Sequence, residues 1–80
     1  METCEIAIFR LIVDTDTNGE VQLTINKKNK KNKEFVNIFT GSFKEGIKFF
    51  IREYFLLVNS DAGRLYPELV LPNENNGGCL

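Results

Sequence analysis

The sequence predicts an α+β fold, in which a three-stranded antiparallel β-meander packs on one amphipathic helix in the order β-β-β-α. Three short β-branched and aromatic runs precede a single long stretch of helical periodicity, and a fourth short edge strand is allowed after the helix. A chain of 80 residues, 42% hydrophobic and 26% charged, is typical of one soluble globular domain. We expect this domain to span residues 1–71 and to be followed by a flexible polar tail, residues 72–80.

Three segments before the helix have strand character. Residues 4–13, "CEIAIFRLIV", carry apolar residues at both parities, which predicts one strand covered on both faces. Residues 20–26 alternate between apolar and polar side chains, which predicts a half-buried strand, and residues 34–40 form the third. The allowed fourth strand is the extended segment 64–71, where Pro67 restricts it to a sheet edge.

The helix is predicted to run from Phe43 to about Asn59. Ser42 is a favourable N-cap, and Glu45 three residues later completes the capping-box pattern. At about 100° per residue, the large apolar side chains fall within an arc roughly 120° wide, which predicts the face that packs on the sheet. Its members are Phe43, Ile47, Phe50, Ile51, Tyr54, Leu57 and Val58.

The segment "DTDTNGEV", residues 14–21, resembles the first half of a calcium-binding loop. Asp14, Asp16 and Asn18 occupy its first three ligand positions, and Gly19 occupies the sharp bend. They are the weak candidates for a metal site. However, Ile25 occupies the position where such a loop needs a bidentate Glu, and strands rather than helices are predicted on both sides.

A hairpin turn explains the same segment without a metal. Apolar residues face one another only if Val13 lies opposite Leu23, since a slip of one residue would move every side chain to the other face. That register requires a three-residue loop, 17–19, with Asp16 and Gly19 at the positions that a type I turn favours. We therefore predict a positive φ at Gly19, backbone hydrogen bonds to Asp16 and exposed carboxylates.

The composition argues against an enzyme. The chain has no His, which removes the commonest general base and any Ser/His or Cys/His pair, and it has no glycine-rich phosphate loop. We predict no catalytic residues and no cofactor. Cys4 and Cys79 lack metal-ligand spacing and are predicted to be reduced thiols of a cytoplasmic protein. No apolar run is long enough to span a membrane, so we expect no membrane partner.

Charge is segregated along a chain whose net charge is only −1. Candidate nucleic-acid-binding residues are Lys27, Lys28, Lys30, Lys31 and Lys33 in one connector, with Lys44, Lys48 and Arg52 at four-residue intervals on the helix. Three strands, one helix and a basic hairpin tip are similar in topology to the arm-binding domains of phage-type integrases, which implies nucleic-acid binding. The acidic pI, about 5.4, favours instead a solvated loop that keeps the sheet edge soluble.

A second feature is apolar residues outside the predicted core arc. Phe49 and Leu56 lie on the opposite side of the helix, either beneath segment 64–71 or at an interface with a partner. The candidate partner-binding residues are Phe49, Phe55 and Leu56, with Lys48 and Arg52 at the border. The sequence thus predicts a small interaction module, a phage-like or mobile-element regulator or inhibitor that binds a protein or homodimerises. Nucleic-acid binding is the alternative.

Overall fold

The computed structural model describes residues 1–65, which form a four-stranded antiparallel sheet and two helices. The strands are β1 (Glu2–Ile6), β2 (Phe9–Thr15), β3 (Val21–Lys28) and β4 (Phe35–Ser42), and the helices are α1 (Phe43–Val58) and α2 (Asp61–Leu65). The sheet order is β1-β2-β3-β4, so each strand lies beside its neighbour in sequence. Helix α1 packs against β3 and β4. The predicted α+β class, a meander packed on one helix, is confirmed.

The segment predicted as one strand over residues 4–13 is two strands. The chain reverses at Ala7 and Ile8, where Ala7 has a φ of 57°, and Ile6 pairs with Phe9 across the turn. The tight turn changes the parity of the inward-facing positions, so apolar residues at even positions in β1 and odd positions in β2 share one face. The prediction of a strand covered on both faces is therefore wrong.

The fourth strand lies before the helix rather than after it. Arg64 and Leu65, which were expected to be extended, belong to α2. Residues 66–71 of the predicted edge strand and the predicted tail, 72–80, lie outside the described residues.

The hairpin between β2 and β3 has the predicted register. Val13 pairs with Leu23, and the backbone N–H of Asp16 donates to the Glu20 carbonyl at 2.9 Å, which closes a three-residue loop. Gly19 has a φ of 84°, and its N–H donates to the Asp16 carbonyl at 3.0 Å. The Asp16 carboxylate accepts from the N–H groups of Asn18 and Glu20, both at 2.9 Å. The predicted turn is confirmed.

Gly19 supplies a backbone conformation that an L-residue adopts at a cost. Replacing Gly19 with Ala is expected to lower the free energy of unfolding by about 1 kcal/mol, because a Cβ disfavours the left-handed region. A Cβ at this position would meet nothing within 4 Å, so the loss would be conformational and not steric. Urea unfolding measures it, with Asn18→Ala as a control that should change stability by less than about 0.5 kcal/mol. Equal stability of Gly19→Ala and wild type would contradict the turn.

The core lies between α1 and one face of the sheet. Four strand residues, Phe9, Leu11, Leu23 and Ile25, are at most 2% exposed, and Phe50 and Leu57 are the buried large side chains of α1. The rings of Phe9 and Phe50 meet edge to face, with centroids 5.3 Å apart. This packing leaves the opposite side of α1 facing solvent.

Two features fix how α1 meets the sheet. The Ser42 hydroxyl accepts from the Glu45 N–H at 3.3 Å, which confirms the predicted N-cap. Gly46 is buried, and a Cβ there would lie 2.6 Å from Cδ2 of Leu23. The helix axis can approach the sheet closely at Gly46 because no side chain separates them.

The expected reduced state of the cysteines is not what the structure shows for Cys4, which is disulfide-bonded. Cys79 lies outside the described residues. The cysteines therefore give no support for a reducing compartment. Within residues 1–65, neither helix combines the length and the apolar character that crossing a membrane requires.

Candidate functional site

Helix α1 exposes large apolar side chains on the side that faces away from the sheet. Ile51, Phe55 and Leu56 are 61%, 66% and 56% exposed, and Val58 is 41% exposed. Lys44, Lys48 and Arg52 are exposed on the same side. We call this surface, formed by the four apolar and three basic side chains, the outer face.

Four of the five predicted partner-binding residues lie on the outer face: Phe55, Leu56, Lys48 and Arg52. The fifth, Phe49, does not. Its ring is half-buried and stacks on the Phe39 ring, with centroids 5.2 Å apart and an interplanar angle of 26°. The sequence interpretation placed Phe49 opposite the sheet, either beneath segment 64–71 or at an interface. Its ring instead packs on Phe39, because β4 extends beneath that side of the helix.

The sequence interpretation missed Ile51 and Val58, which it placed in the core. The predicted arc counted large apolar side chains and left out Gly46, which is buried against Leu23. With Gly46 included, the buried face turns toward Phe49 and away from Ile51. A glycine inside an otherwise regular helix was the signal that could have shown this rotation.

A row of residues at four-residue intervals leads along the outer face: Lys44, Lys48, Arg52 and Leu56. Such residues are neighbours on a helix surface, so the three cations are continuous with an exposed apolar side chain. The Lys48 ammonium lies 3.9 Å from the Glu45 carboxylate, and both side chains are 65% exposed. An ion pair this exposed contributes little, so Lys48 is available to a partner.

Leu56 borders a cleft of about 280 Å³ between α1 and the end of the sheet. Its buried walls are Ile8, from the turn between β1 and β2, and Leu57. Lys27 and Lys30 contribute the basic part of its lining. Glu53 and Ser60 also line the cleft. The fold thus brings part of the predicted basic connector beside the predicted apolar patch.

Lys27 and Lys28, which were predicted to lie in the connector, are the last residues of β3, and the rest of the basic connector is an ordered loop. The Asn29 N–H donates to the Glu34 carbonyl at 2.7 Å, and the Asn29 side-chain oxygen accepts from the Lys31 N–H at 2.8 Å. Lys30, Lys31 and Lys33 are exposed on this loop. The predicted nucleic-acid set is nevertheless divided between surfaces. Lys27 and Lys30 line the cleft, whereas Lys28 points to the opposite sheet face and lies 5.6 Å from the Phe35 ring centroid.

The carboxylates of the weak metal candidate accept hydrogen bonds from the backbone of the turn. The Asp14 carboxylate accepts from the Thr15 N–H at 2.9 Å, and the Asp16 carboxylate holds the two N–H groups described above. Across residues 1–65, no group of three or more Cys, Asp or Glu side chains is arranged to hold a metal ion. Among the described residues, no further Cys, Asp or Glu side chain therefore joins Asp14, Asp16 and Asn18 at this candidate metal site.

Comparisons with protein-family models, with curated protein sequences and with solved structures found no match.

Proposed function

We propose that this protein is a non-enzymatic interaction module that binds a protein partner through the outer face of α1. The observation that carries the proposal is the exposure of Ile51, Phe55 and Leu56, each more than half exposed, on a helix that buries its other side. Grouped exposed apolar side chains on a small protein mark interaction sites. Aromatic side chains and Arg are also enriched at protein interfaces, and this surface carries both Phe55 and Arg52.

Apolar burial on the outer face does not by itself account for stable binding, so its charged side chains must contribute. Burying a Phe, Leu or Ile side chain is worth about 1.5–3 kcal/mol, and this is an upper estimate for side chains already partly covered. Association costs roughly 4–15 kcal/mol in lost translational and rotational freedom. The free energy gained by burying Ile51, Phe55 and Leu56 is of the same order as that cost. We therefore assign Lys48 and Arg52 the role of polar contacts at the rim of the interface.

A module of this kind acts by occupying a surface of its partner. That mode of action suits a regulator or inhibitor of the phage or mobile-element kind, as the sequence predicts. Pairing of the outer face with a second copy is the homodimeric form of the same proposal.

The test is co-purification from the native host with a tagged protein. Phe55→Asp/Leu56→Asp places two charges on the outer face and should lose a partner that the wild-type protein retains. Val21→Asp is the matched control. Val21 is an exposed apolar residue, 42% accessible, that begins β3 at the end of the sheet away from the cleft. Sedimentation of the same proteins detects a homodimer. Retention of every partner and of the oligomeric mass by the double variant would contradict the proposal.

Nucleic-acid binding is the second candidate function. The observation in its favour is that Lys30, Lys31 and Lys33 are exposed on one loop beside the cleft, while Lys44, Lys48 and Arg52 are exposed on α1. Cations in this number could neutralise phosphates, and affinity for nucleic acid would then fall steeply with salt. Fluorescence anisotropy with a short oligonucleotide tests this function, and the absence of binding at low salt would contradict it.

A further inference from the structure

We propose that the partner presents an acidic amphipathic helix to this protein. One of its large apolar side chains enters the cleft beside Leu56, and its carboxylates meet Lys30, Lys48 and Arg52. This inference rests on the proposed function, because it names the kind of partner segment that the outer face accepts.

The charge of this surface differs from that of the chain. Among the described residues, the outer face and the cleft carry five cations, Lys27, Lys30, Lys44, Lys48 and Arg52, against Glu53 of the cleft and Glu45, the neighbour of Lys48. The surface is thus +3 in a chain whose net charge is −1. A positive surface on an acidic protein favours a negative partner by complementarity, which improves both the association rate and the specificity.

The cleft is of a size that suits a side chain. Its volume, about 280 Å³, lies just below the range of roughly 300–1,000 Å³ that is usual for small-molecule pockets. Ile8 and Leu57, 8% and 7% exposed, give it apolar walls, and Lys27 and Lys30 give it a basic border. These features match a large apolar side chain that has acidic neighbours.

The spacing of the cations matches a helix. Lys44, Lys48 and Arg52 recur every four residues, which is about 6 Å along the axis of α1. An acidic helix that lies along this row can present carboxylates at the same interval. Its apolar side chain then reaches the cleft at Leu56, the next position of the row.

Two other occupants fit less well. A symmetric contact with a second copy would set the same basic surface against itself, which places like charges together. A nucleic acid would satisfy the cations, but its phosphates would leave the apolar walls of the cleft and the 66%-exposed Phe55 without apolar partners. An acidic protein segment satisfies both parts of the surface.

The test measures fluorescence anisotropy with the full-length protein and three probes. Two are designed helical peptides with the same leucine pattern, one with Glu and one with Lys at every polar position, and the third is a short oligonucleotide, single-stranded or duplex. We expect the Glu peptide to bind at least about tenfold more tightly than the Lys peptide or the oligonucleotide at low salt. Lys30→Glu and Arg52→Glu should each weaken the Glu peptide by about tenfold or more.

Lys31→Glu is the matched control, because Lys31 is exposed in the same loop but does not line the cleft. It should change the affinity for the Glu peptide by no more than about threefold if the contacts are local. Equal binding of the two peptides, no binding of the Glu peptide or tighter binding of the oligonucleotide would overturn the inference. Loss of a co-purified partner by Phe55→Asp/Leu56→Asp would still support the proposed function. Failure of the acidic-helix inference can therefore be distinguished from failure of the proposed function.

Discussion

Replacing Phe9 with alanine is expected to lower the free energy of unfolding by about 3–5 kcal/mol. Phe9 is fully buried, and its ring lies edge-on to Phe50, so its removal leaves a cavity between β2 and α1. At roughly 0.05–0.15 kcal/mol per residue, a chain of this length has a total stability of about 4–12 kcal/mol. The substitution therefore brings the fold close to its limit of stability.

Urea unfolding followed by circular dichroism measures this loss. Phe55→Ala is the matched control, since it removes the same ring from a side chain that is 66% exposed. It should cost less than about 1 kcal/mol. Similar losses for the two variants would mean that Phe9 is not at the centre of the core.

Gly46→Val is expected to cost about 2–3 kcal/mol, because added carbon atoms at a packed site force the surroundings apart. A Cβ at this position would lie 2.6 Å from Cδ2 of Leu23 and 3.0 Å from Cε1 of Phe39. The loss is expected although Val has a slightly better helix propensity than Gly. It would show that α1 approaches the sheet at this glycine.

A double-mutant cycle with Leu23→Ala separates close approach from other effects. Shortening Leu23 removes the nearest atom, so the loss in the double variant should be smaller than the sum of the single losses by about 0.5–3 kcal/mol. Urea unfolding of the four proteins gives the coupling energy. Additive losses would contradict a direct contact between position 46 and Leu23.

Local sequence features predicted much of the fold. The alternation around residues 14–21 determined the β2–β3 register because a one-residue slip would expose the core side chains. Ser42 and Glu45 marked the start of α1. By contrast, no Gly, Asn or Asp marked the turn between β1 and β2, where Ala7 adopts a positive φ of 57°. Without the usual turn residues, the sequence of residues 4–13 predicts one continuous apolar strand.

The candidate site was predicted only in part. Phe55, Leu56, Lys48 and Arg52 were identified because helical periodicity sets them apart from the core. The exact rotation of α1 depends on tertiary packing at Gly46, so Phe49 and Ile51 were assigned to the wrong sides. The cleft joins Ile8, Lys30 and Leu56 from three separate elements, and no periodicity relates residues that meet only in the folded protein.

The most direct test of the central claim, that the outer face of α1 binds a protein partner, is the affinity of the co-purified partner for matched variants. Isothermal titration should give a dissociation constant at least about 100-fold weaker for Phe55→Asp/Leu56→Asp than for the wild-type protein. Val21→Asp should bind as the wild-type protein does. Equal affinity for the double variant and the wild-type protein would contradict the claim.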